Sequence, residues 1–333
     1  MVDRLDRDTL ITRLARPRGP WARVVVHDTT GSTNDDAERQ AQPYLLVVSA
    51  EQTAGRGRRA RAWSSPPGTS VSMSLVLPLV VSGGIGPGAM ADPAGVGGGM
   101  RDPGWIPLVV GLGVRDALAG LIGAEGARVV LKWPNDVLVE GASATSAPTR
   151  GSGGGSDGGS GGGSDGGSDR GSGREQSGES RPEVPAKISG ILCQLVPDKG
   201  LVVAGVGINV TVPVEALPVP EGTAAPATSL HLCRAERPIT REAVVEAVAT
   251  HVERRHAAWL AGGAEAEELR REYRSACVTV GSLVDVHLPG GEVRRARATG
   301  VADGGELRIA DEAGAVSLVR AGDVIHIRPR LGA

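Results

Sequence analysis

The sequence predicts an α+β fold that ends in a small all-β module, and three observations support this class. Strand-like and helix-like apolar patterns alternate along most of the chain. Two neighbouring strand patterns are joined by the turn sequence PDKG at 197–200, which indicates antiparallel pairing. After Cys277 only short strand patterns separated by glycine-containing turns remain, as in a barrel of SH3-like size.

Each element follows from the period of its apolar residues. The predicted strands, which are rich in β-branched and aliphatic residues, cover residues 23–27, 44–50, 71–77, 129–133, 187–196 and 201–210. A short helix is predicted to begin near Thr33, and the spacing over 106–122 predicts an amphipathic helix. A further helix is predicted between Thr240, a favourable N-terminal cap, and about Ala261, with Gly262 as a stop signal.

The composition limits the function classes. The chain has 333 residues, enough for one large domain with a smaller one. Lys and Arg total 36 against 38 Asp and Glu, and the net charge of −2 does not favour nucleic acid as a partner. Three widely spaced cysteines without a CxxC pair argue against a zinc site and a disulfide framework. No apolar run approaches the roughly 20 residues of a spanning helix, so we expect a cytoplasmic protein without membrane contact.

Two stretches of the chain have little to bury. Residues 82–104 are rich in glycine and small residues, and residues 141–182 contain the tract GSGGGSDGGSGGGSDGGSDRGSG. We interpret both as flexible inserts in a main domain of residues 23–276. An N-terminal extension, residues 1–22, is predicted before this domain, and the β module, residues 277–333, after it.

Five polar segments differ from ordinary packing segments. In chain order they are GSTN at 31–34, EQTAGRGRRARAW at 51–63, KWPND at 132–136, KISGIL at 187–192 and GVGIN at 205–209. Most also have an ordinary structural explanation: helix capping for GSTN, a solvated charged surface for the arginines, a β-turn for KWPND, and a lysine that reaches water for KISGIL. No single segment therefore decides a function.

The functional alternative for these segments is contact with a small phosphate-bearing ligand. The arginines and Trp63 can hold a phosphate and a flat base, and Lys187 can supply a fixed point charge. Asn135 or Asp136 can lie near a metal or a nucleotide, and the glycines of GVGIN let a ligand approach the backbone. The sequence has no GxxxxGK[ST] phosphate loop and no GxSxG motif, and GVGIN lacks the third glycine of a dinucleotide fingerprint.

The order of the five segments, followed by the β module, resembles the biotin protein ligase family. The similarity covers most of residues 23–330 and leaves out the two inserts. It implies a mixed-sheet, class II synthetase-like catalytic domain over 23–276 and an SH3-like barrel over 277–333. It also implies the monofunctional form without DNA as a partner, because residues 1–20 are too short for the winged helix-turn-helix of the repressor members.

The resemblance implies a two-step ligase reaction. Biotin and Mg-ATP form biotinyl-5′-AMP and pyrophosphate, and the biotinyl group then passes to one lysine of a biotin acceptor domain in a carboxylase subunit. The implied partners are biotin, ATP and this acceptor domain, with Mg²⁺ as a cofactor. A homodimer is compatible with the sequence.

The resemblance also implies roles for individual residues. Three of them are implied as catalytic: Lys187, Arg56 and Arg58. Those that would bind biotin are Ser32, Thr33, Asn34, Gln52, Arg56, Gly57, Arg58 and Lys187. Those that would bind the nucleotide are Trp63, Lys132, Asn135 and Asn209. Asp136 is the implied metal ligand.

The sequence departs from the family in two places. Ala60 stands where the family usually has glycine, and residues 141–182 replace a short connection between KWPND and KISGIL. Two enzyme alternatives share the catalytic fold: a lipoate ligase and an octanoyl transferase. A biotin sensor without turnover and a DNA-binding regulator are the non-enzyme alternatives, and retention of the arginines and Lys187 argues against the sensor.

Overall fold

The computed structural model describes most of the chain. The described residues are 4–58, 61–79, 102–124, 127–142, 184–219, 225–233, 235, 237–287, 291–320 and, for the backbone, 323–326. The helices are α1 (Arg7–Leu14), α2 (Thr33–Gln40), α3 (Ile106–Ile122), α4 (Arg241–Ala261) and α5 (Gly263–Ala276).

Twelve strands form two separate sheets in the described part of the chain. The strands of the first sheet are β1 (Arg23–Thr30), β2 (Leu45–Gln52), β3 (Ser70–Pro78), β4 (Arg128–Lys132), β5 (Asp136–Glu140), β6 (Ala186–Val196) and β7 (Leu201–Asn209). The strands of the second sheet are β8 (Leu283–His287), β9 (Val293–Val301), β10 (Leu307–Ala310), β11 (Val316–Val319) and β12 (Asp323–His326).

The first sheet is mixed, and the second is antiparallel. In the first sheet the order is β1-β2-β3-β7-β6-β5-β4, and only the β1–β2 pair is parallel. In the second sheet the order is β11-β10-β9-β8-β12. The predicted α+β class with a small antiparallel C-terminal sheet is therefore confirmed. The predicted turn at 197–200 joins β6 to β7 and ends in Gly200 in the left-handed conformation.

The core lies between the mixed sheet and the long helices. Alternate residues of β3 and β7 face α3 and α4, which pack closely against each other. The predicted amphipathic helix at 106–122 is present, but α3 is buried on most of its faces. The stretch Pro103–Ile122 is long and apolar enough to cross a membrane by composition, with a mean hydropathy of 1.6, yet 67% of it is buried inside the protein, as in a core helix.

The N-terminal residues, predicted as an extension, pack into the main core. Asp6 caps α1 by accepting a hydrogen bond from the Thr9 amide at 3.0 Å. Leu10 and Leu14 of α1 are buried, and so is Trp21. Helix α1 is only eight residues long, so its apolar pattern is too short to be recognised in the sequence.

The predicted inserts fall mostly outside the described residues. Residues 82–101 and 143–182 are not described, so the prediction of flexibility stays a prediction. The last three residues of the first predicted insert, 102–104, belong to an ordered turn instead of a flexible segment. Asp102 accepts a hydrogen bond from the Gly104 amide at 2.8 Å and caps a 3-10 helix, Pro103–Trp105, that leads into α3.

Candidate active site

One cavity of about 740 Å³ collects the polar segments on the mixed sheet. GSTN lies at the start of α2, the arginine segment follows β2, KWPND joins β4 to β5, and KISGIL and GVGIN lie on β6 and β7. Because β6 and β7 are neighbours in the middle of the sheet, they bring together segments that are far apart in sequence. Twelve of the thirteen candidate residues line this cavity, all except Asn209.

Asn209, which the resemblance implies as a nucleotide-binding residue, does not line this cavity. Its side chain is buried, and its Nδ2 donates a hydrogen bond to the carbonyl oxygen of Thr228 at 3.0 Å. The residue ties the end of β7 to the 225–233 segment, which itself pairs with the start of β6 through Lys187. The structure thus places Asn209 outside the cavity lining, and its role in nucleotide binding stays a prediction.

A network of neutral side chains forms one end of the cavity. Gln52 Oε1 accepts hydrogen bonds from the Thr33 amide at 2.8 Å and from Thr33 Oγ1 at 3.1 Å. Gln52 Nε2 donates to Ser72 Oγ at 3.1 Å, and Ser32 caps α2 by accepting a bond from the Asp35 amide at 3.4 Å. This end offers hydroxyl and amide groups without a net charge.

Asn34 is fully engaged inside the same network. Its Nδ2 donates to the carbonyl oxygen of Leu192 at 3.2 Å and to Gln194 Oε1 at 2.5 Å, and its Oδ1 accepts from Ser74 Oγ at 2.6 Å. A Cβ at position 205 would lie 2.2 Å from Asn34 Oδ1, so the first glycine of GVGIN makes room for this side chain. Asn34 therefore fills the space beside the Gly205 backbone in which a ligand was predicted to lie.

Trp63 lies on the other glycines of the two central strands. A Cβ at position 207 would lie 2.4 Å from Trp63 Cε2, and one at position 190 would lie 3.3 Å from Trp63 Cζ3. Lys187 Nζ is 5.9 Å from the centre of the indole ring, a cation–π geometry. Trp63 Nε1 is buried and has no hydrogen-bond partner among the described residues.

The arginine segment folds back on itself at the mouth of the cavity. The Gly57 amide donates to the carbonyl oxygen of Arg61 at 2.7 Å, and the Trp63 amide donates to that of Gly55 at 2.9 Å. Arg56 pairs with Asp35 of α2, and Arg58 Nη1 donates to Asn135 Oδ1 at 3.3 Å. The segment therefore carries its guanidinium groups from the neutral end of the cavity to the KWPND turn. Ala60 lies outside the described residues.

The other end of the cavity is cationic and centres on Asp136. Lys187 Nζ is 2.6 Å from one carboxylate oxygen of Asp136, and Lys132 Nζ is 3.9 Å from the other. Burial raises the pKa of Asp136, but attraction by Lys187 and Lys132 outweighs it and leaves that pKa below its usual value. Asp136 is thus ionised and holds the two lysines close together.

Sequence reasoning missed several partners that position these residues. Ser72 and Ser74 of β3 and Gln194 of β6 complete the neutral network, and Asp35 holds Arg56. The alternation of serines at 70, 72 and 74 is the one local signal, because alternate residues share one face of β3, on which Ser72 bonds Gln52 and Ser74 bonds Asn34. Gln194 carries no such signal, since its role depends on Asn34, which is 160 residues away.

The described residues contain no group of three or more His, Cys, Asp and Glu side chains that could hold a metal ion. Among the described residues that line the cavity, Asp136 is the only carboxylate, and it is engaged with lysines. The position of the predicted metal ligand is thus inside the cavity, but without a second protein carboxylate beside it in the described part.

Similar proteins agree with this arrangement. Residues 22–84 match the profile of the biotin/lipoate A/B protein ligase family. The chain is 28% identical over 329 residues to the biotin–[acetyl-CoA-carboxylase] ligase of Mycobacterium tuberculosis, and the match covers 97% of this chain and 96% of that protein. Residues 22–84 therefore form a domain similar to the biotin/lipoate A/B protein ligase family. The resemblance seen in the sequence is confirmed.

Two further proteins are similar to this chain at lower coverage or identity. The biotin–[acetyl-CoA-carboxylase] ligase of Paracoccus denitrificans is 34% identical over 128 residues, which cover 37% of this chain and 45% of that protein. The solved biotin protein ligase from Aquifex aeolicus in complex with biotin and ATP has a TM-score of 0.60 and 20% identity, covering 92% of this chain and 100% of that chain. This likeness establishes the family fold.

Proposed function

We propose that this protein is a biotin–[biotin carboxyl-carrier protein] ligase, which joins biotin to a lysine of an acceptor domain through biotinyl-5′-AMP. The observation that carries the proposal is the single cavity in which a neutral hydrogen-bonding end meets a cationic end. The near full-length similarity to the Mycobacterium tuberculosis ligase favours biotin over lipoate or octanoate as the acyl substrate.

The neutral end suits the ureido ring of biotin. This ring has one carbonyl acceptor and two N–H donors, and it needs a few fixed hydroxyls and amides in an otherwise apolar pocket. Ser32, Thr33 and Gln52 supply such groups, and each is held by the network at the start of α2. Because every polar group of Asn34 is used inside the protein, Asn34 shapes this pocket and holds α2 against β6.

The cationic end suits the adenylate-forming step. A carboxylate oxygen of biotin attacks the α-phosphorus of ATP, the bond to the β-phosphate bridging oxygen breaks, and pyrophosphate leaves. This step needs positioning and neutralisation of charge more than a protein nucleophile. Lys187 supplies a cation at the floor of the cavity, and Arg56 and Arg58 supply cations from above.

The second step uses the same surroundings. A neutral lysine amine of the acceptor attacks the acyl carbon of biotinyl-5′-AMP. An amide bond forms as the nitrogen gives up one proton, and AMP leaves with the electron pair of the broken acyl–oxygen bond. Water must be kept away from the adenylate until then. The arginine segment and Trp63, which cover the two central strands, are placed to do so.

In the proposed reaction Mg²⁺ is bound to the phosphates of ATP. Mg²⁺ is commonly held by one or two carboxylates together with substrate phosphates. Asp136 is engaged by Lys187 at 2.6 Å, and among the described residues no second carboxylate lines the cavity, so the described residues do not by themselves fit a protein-held metal site. We therefore assign Asp136 the task of fixing the lysines.

The remaining parts of the proposal concern partners and place in the cell. The acceptor is a biotin acceptor domain of a carboxylase subunit, and the reaction takes place in the cytoplasm without DNA or membrane contact. Residues 23–276 would form the catalytic domain and residues 277–333 the SH3-like domain. Assembly as a homodimer is compatible with this proposal.

Pyrophosphate release tests the function and its substrate. We expect ATP-dependent release with biotin, weak or no release with lipoate and octanoate, and labelling of an acceptor lysine. Tight biotin binding without pyrophosphate release would instead indicate a sensor, and release with lipoate would overturn the choice of substrate.

The variant Lys187→Ala tests the site within the same assay. We expect loss of adenylate formation with a folded protein, because Lys187 neutralises charge at the reacting phosphate. Lys199→Ala is the matched control, since Lys199 lies at the β6–β7 turn and bonds the carbonyl oxygen of Ala41 outside the cavity. Unchanged turnover in Lys187→Ala would remove Lys187 from the mechanism.

A further inference from the structure

Two of the five tryptophans of the chain donate hydrogen bonds to one turn of the C-terminal sheet. This turn, residues 302–306, joins β9 to β10. Trp133 Nε1 donates to the carbonyl oxygen of Gly305 at 3.0 Å, and Trp105 Nε1 donates to that of Asp303 at 2.7 Å. Both indoles are buried, so these bonds are shielded from water.

Trp133 is held by the C-terminal part of the chain through its backbone as well. Its amide donates to Thr279 Oγ1 at 3.1 Å, in a buried contact. The residue before Thr279 makes a second contact with β4, because the Val278 amide donates to the carbonyl oxygen of Leu131 at 2.8 Å. The end of β4 is therefore fixed by the C-terminal part of the chain, while Trp133 itself lies in the wall of the cavity.

The residues that follow Trp133 are those of the cationic end. Asn135 Nδ2 donates to the carbonyl oxygen of Ile191 at 2.9 Å, and Asn135 Oδ1 accepts a hydrogen bond from Arg58 Nη1. Asp136 begins β5 and holds Lys187. Because Asn135 and Asp136 are two and three residues from Trp133, a shift of the indole moves their side chains within the cavity.

The close approach of the turn to the main domain depends on glycine. Gly305 has φ +87°, and a Cβ there would lie 2.6 Å from the carbonyl oxygen of Gly104. A Cβ at Gly104 would lie 2.2 Å from the carbonyl oxygen of Gly304. The two backbones thus touch without side chains between them, beside a second cavity of about 460 Å³ that both parts of the chain line.

We infer that the 302–306 turn and Thr279 position the nucleotide end of the active site through Trp133, so that the C-terminal sheet sets the geometry of Asn135 and Asp136 without touching substrate. Trp133 and Thr279 are positioning residues in this scheme. The inference rests on the proposed function for its kinetic consequence, while the structural consequence at residues 135–137 does not depend on it.

The variants Trp133→Phe and Trp105→Phe form a matched pair. Each removes one indole hydrogen bond to the same turn and keeps an aromatic ring, but only Trp133 is attached to the KWPND turn. We expect Trp133→Phe to lower kcat/KM for ATP roughly tenfold in biotin-dependent pyrophosphate release, because displacements of about 1 Å cost this much or more. Biotin affinity should stay unchanged in both variants, and Trp105→Phe should keep the kcat/KM of the parent.

Thr279 provides a second test that does not alter an aromatic core. Thr279→Val keeps the shape and removes the hydroxyl that Trp133 uses, so we expect the same loss for ATP as in Trp133→Phe. Thr279→Ser restores the hydroxyl and should restore the activity. A purely structural role would lower the melting temperature of Thr279→Val without this rescue of kcat/KM by serine.

Amide hydrogen exchange separates this inference from the proposed function. We expect faster exchange at residues 135–137 in Trp133→Phe and not in Trp105→Phe, whatever the reaction proves to be. Equal exchange and equal ATP kinetics in the two variants would overturn the positioning role. Absence of biotin-dependent pyrophosphate release by the parent protein would overturn the proposed function, and the exchange data would then decide the positioning role alone.

Discussion

Glycines 190, 205 and 207 decide which side chains can lie on the two central strands. At the facing positions of β6 and β7, Gly190 pairs with Gly207, and this leaves a flat surface for the indole of Trp63. Gly205 leaves room for Asn34 from α2. The glycines thus act by omission of a side chain, and no special backbone conformation is required of them.

Gly207→Ala tests this account at the residue scale. The added methyl would lie 2.4 Å from Trp63 Cε2, so the indole must move away from β7. We expect a loss of about 1–3 kcal/mol in the free energy of unfolding, as for overpacked sites, together with a fall in the rate of adenylate formation.

Gly120→Ala is the control for that variant. Position 120 lies in α3, and nothing lies within 4 Å of an added Cβ. We expect a gain of about 0.4–1 kcal/mol and unchanged turnover, because alanine restricts the unfolded chain. Denaturant unfolding measures both variants, and a Gly207→Ala protein as stable and active as the parent would show that Trp63 does not depend on this contact.

Helix α4 is held to the mixed sheet by a buried histidine. His256 is fully buried, and its Nε2 lies 2.9 Å from the carbonyl oxygen of Pro78 at the end of β3. Tyr44 lies beside it, with the ring centroids 6.2 Å apart. Burial lowers the pKa of His256 to about 4, although the bond to Pro78 favours the protonated ring. The neutral imidazole donates to Pro78 in this arrangement.

This histidine makes stability depend on pH at the scale of the element. The folded pKa lies below the unfolded value of 6.5, so the unfolded state binds more protons in this range. Stability is therefore fully present above about pH 6.5 and falls as the pH approaches 4. Between pH 6.5 and 5 we expect the parent to lose about 2 kcal/mol through this group.

His256→Leu isolates the contribution of the histidine. The variant loses the bond to Pro78 and is expected to be less stable at pH 7, but the part of the pH dependence that comes from His256 should disappear. Urea unfolding at several pH values between 7 and 5 measures the slope for each protein. Equal slopes would contradict the assignment of a neutral His256 to the folded state.

At the scale of the whole molecule, the long tract between β5 and β6 joins strands that are already paired. Val139 faces Ala186, and Asp136 faces Gly190, on either side of the connection. Closure of a loop depends only logarithmically on its length, so a long connection is tolerated when its ends are held in a sheet. Residues 151–173 lie outside the described part of the chain.

Deletion of residues 151–173 tests this view. We expect unchanged biotin-dependent turnover and a gain of about 0.6 kcal/mol in the free energy of unfolding, because the loop becomes about half as long. A chain with the same residues in scrambled order should behave as the parent does. If the deletion loses turnover and the scrambled chain does not, the length of the loop matters to function. If both chains lose turnover, the order of residues in the tract matters.

The sequence by itself determined most of the strands, the helices α3 and α4, and most of the candidate residues that line the cavity, but it missed the 14-residue helix α5. Strand and helix periods are local, and the five polar segments are contiguous, so these features need no knowledge of distant contacts. Twelve of the thirteen candidate residues line the cavity for this reason. Short elements such as α1 and β5 were missed because a period needs length to be recognised.

Only the tertiary structure decided what each polar residue does within the site. Asn34 is engaged by residues 158 and 160 positions away, Asn209 bonds Thr228 outside the cavity, and Trp133 donates to a turn 172 residues later. Such contacts depend on which strands become neighbours and on how two sheets meet. Burial then obliges each polar group to find a partner across these distances, and the pairing is set by the fold as a whole.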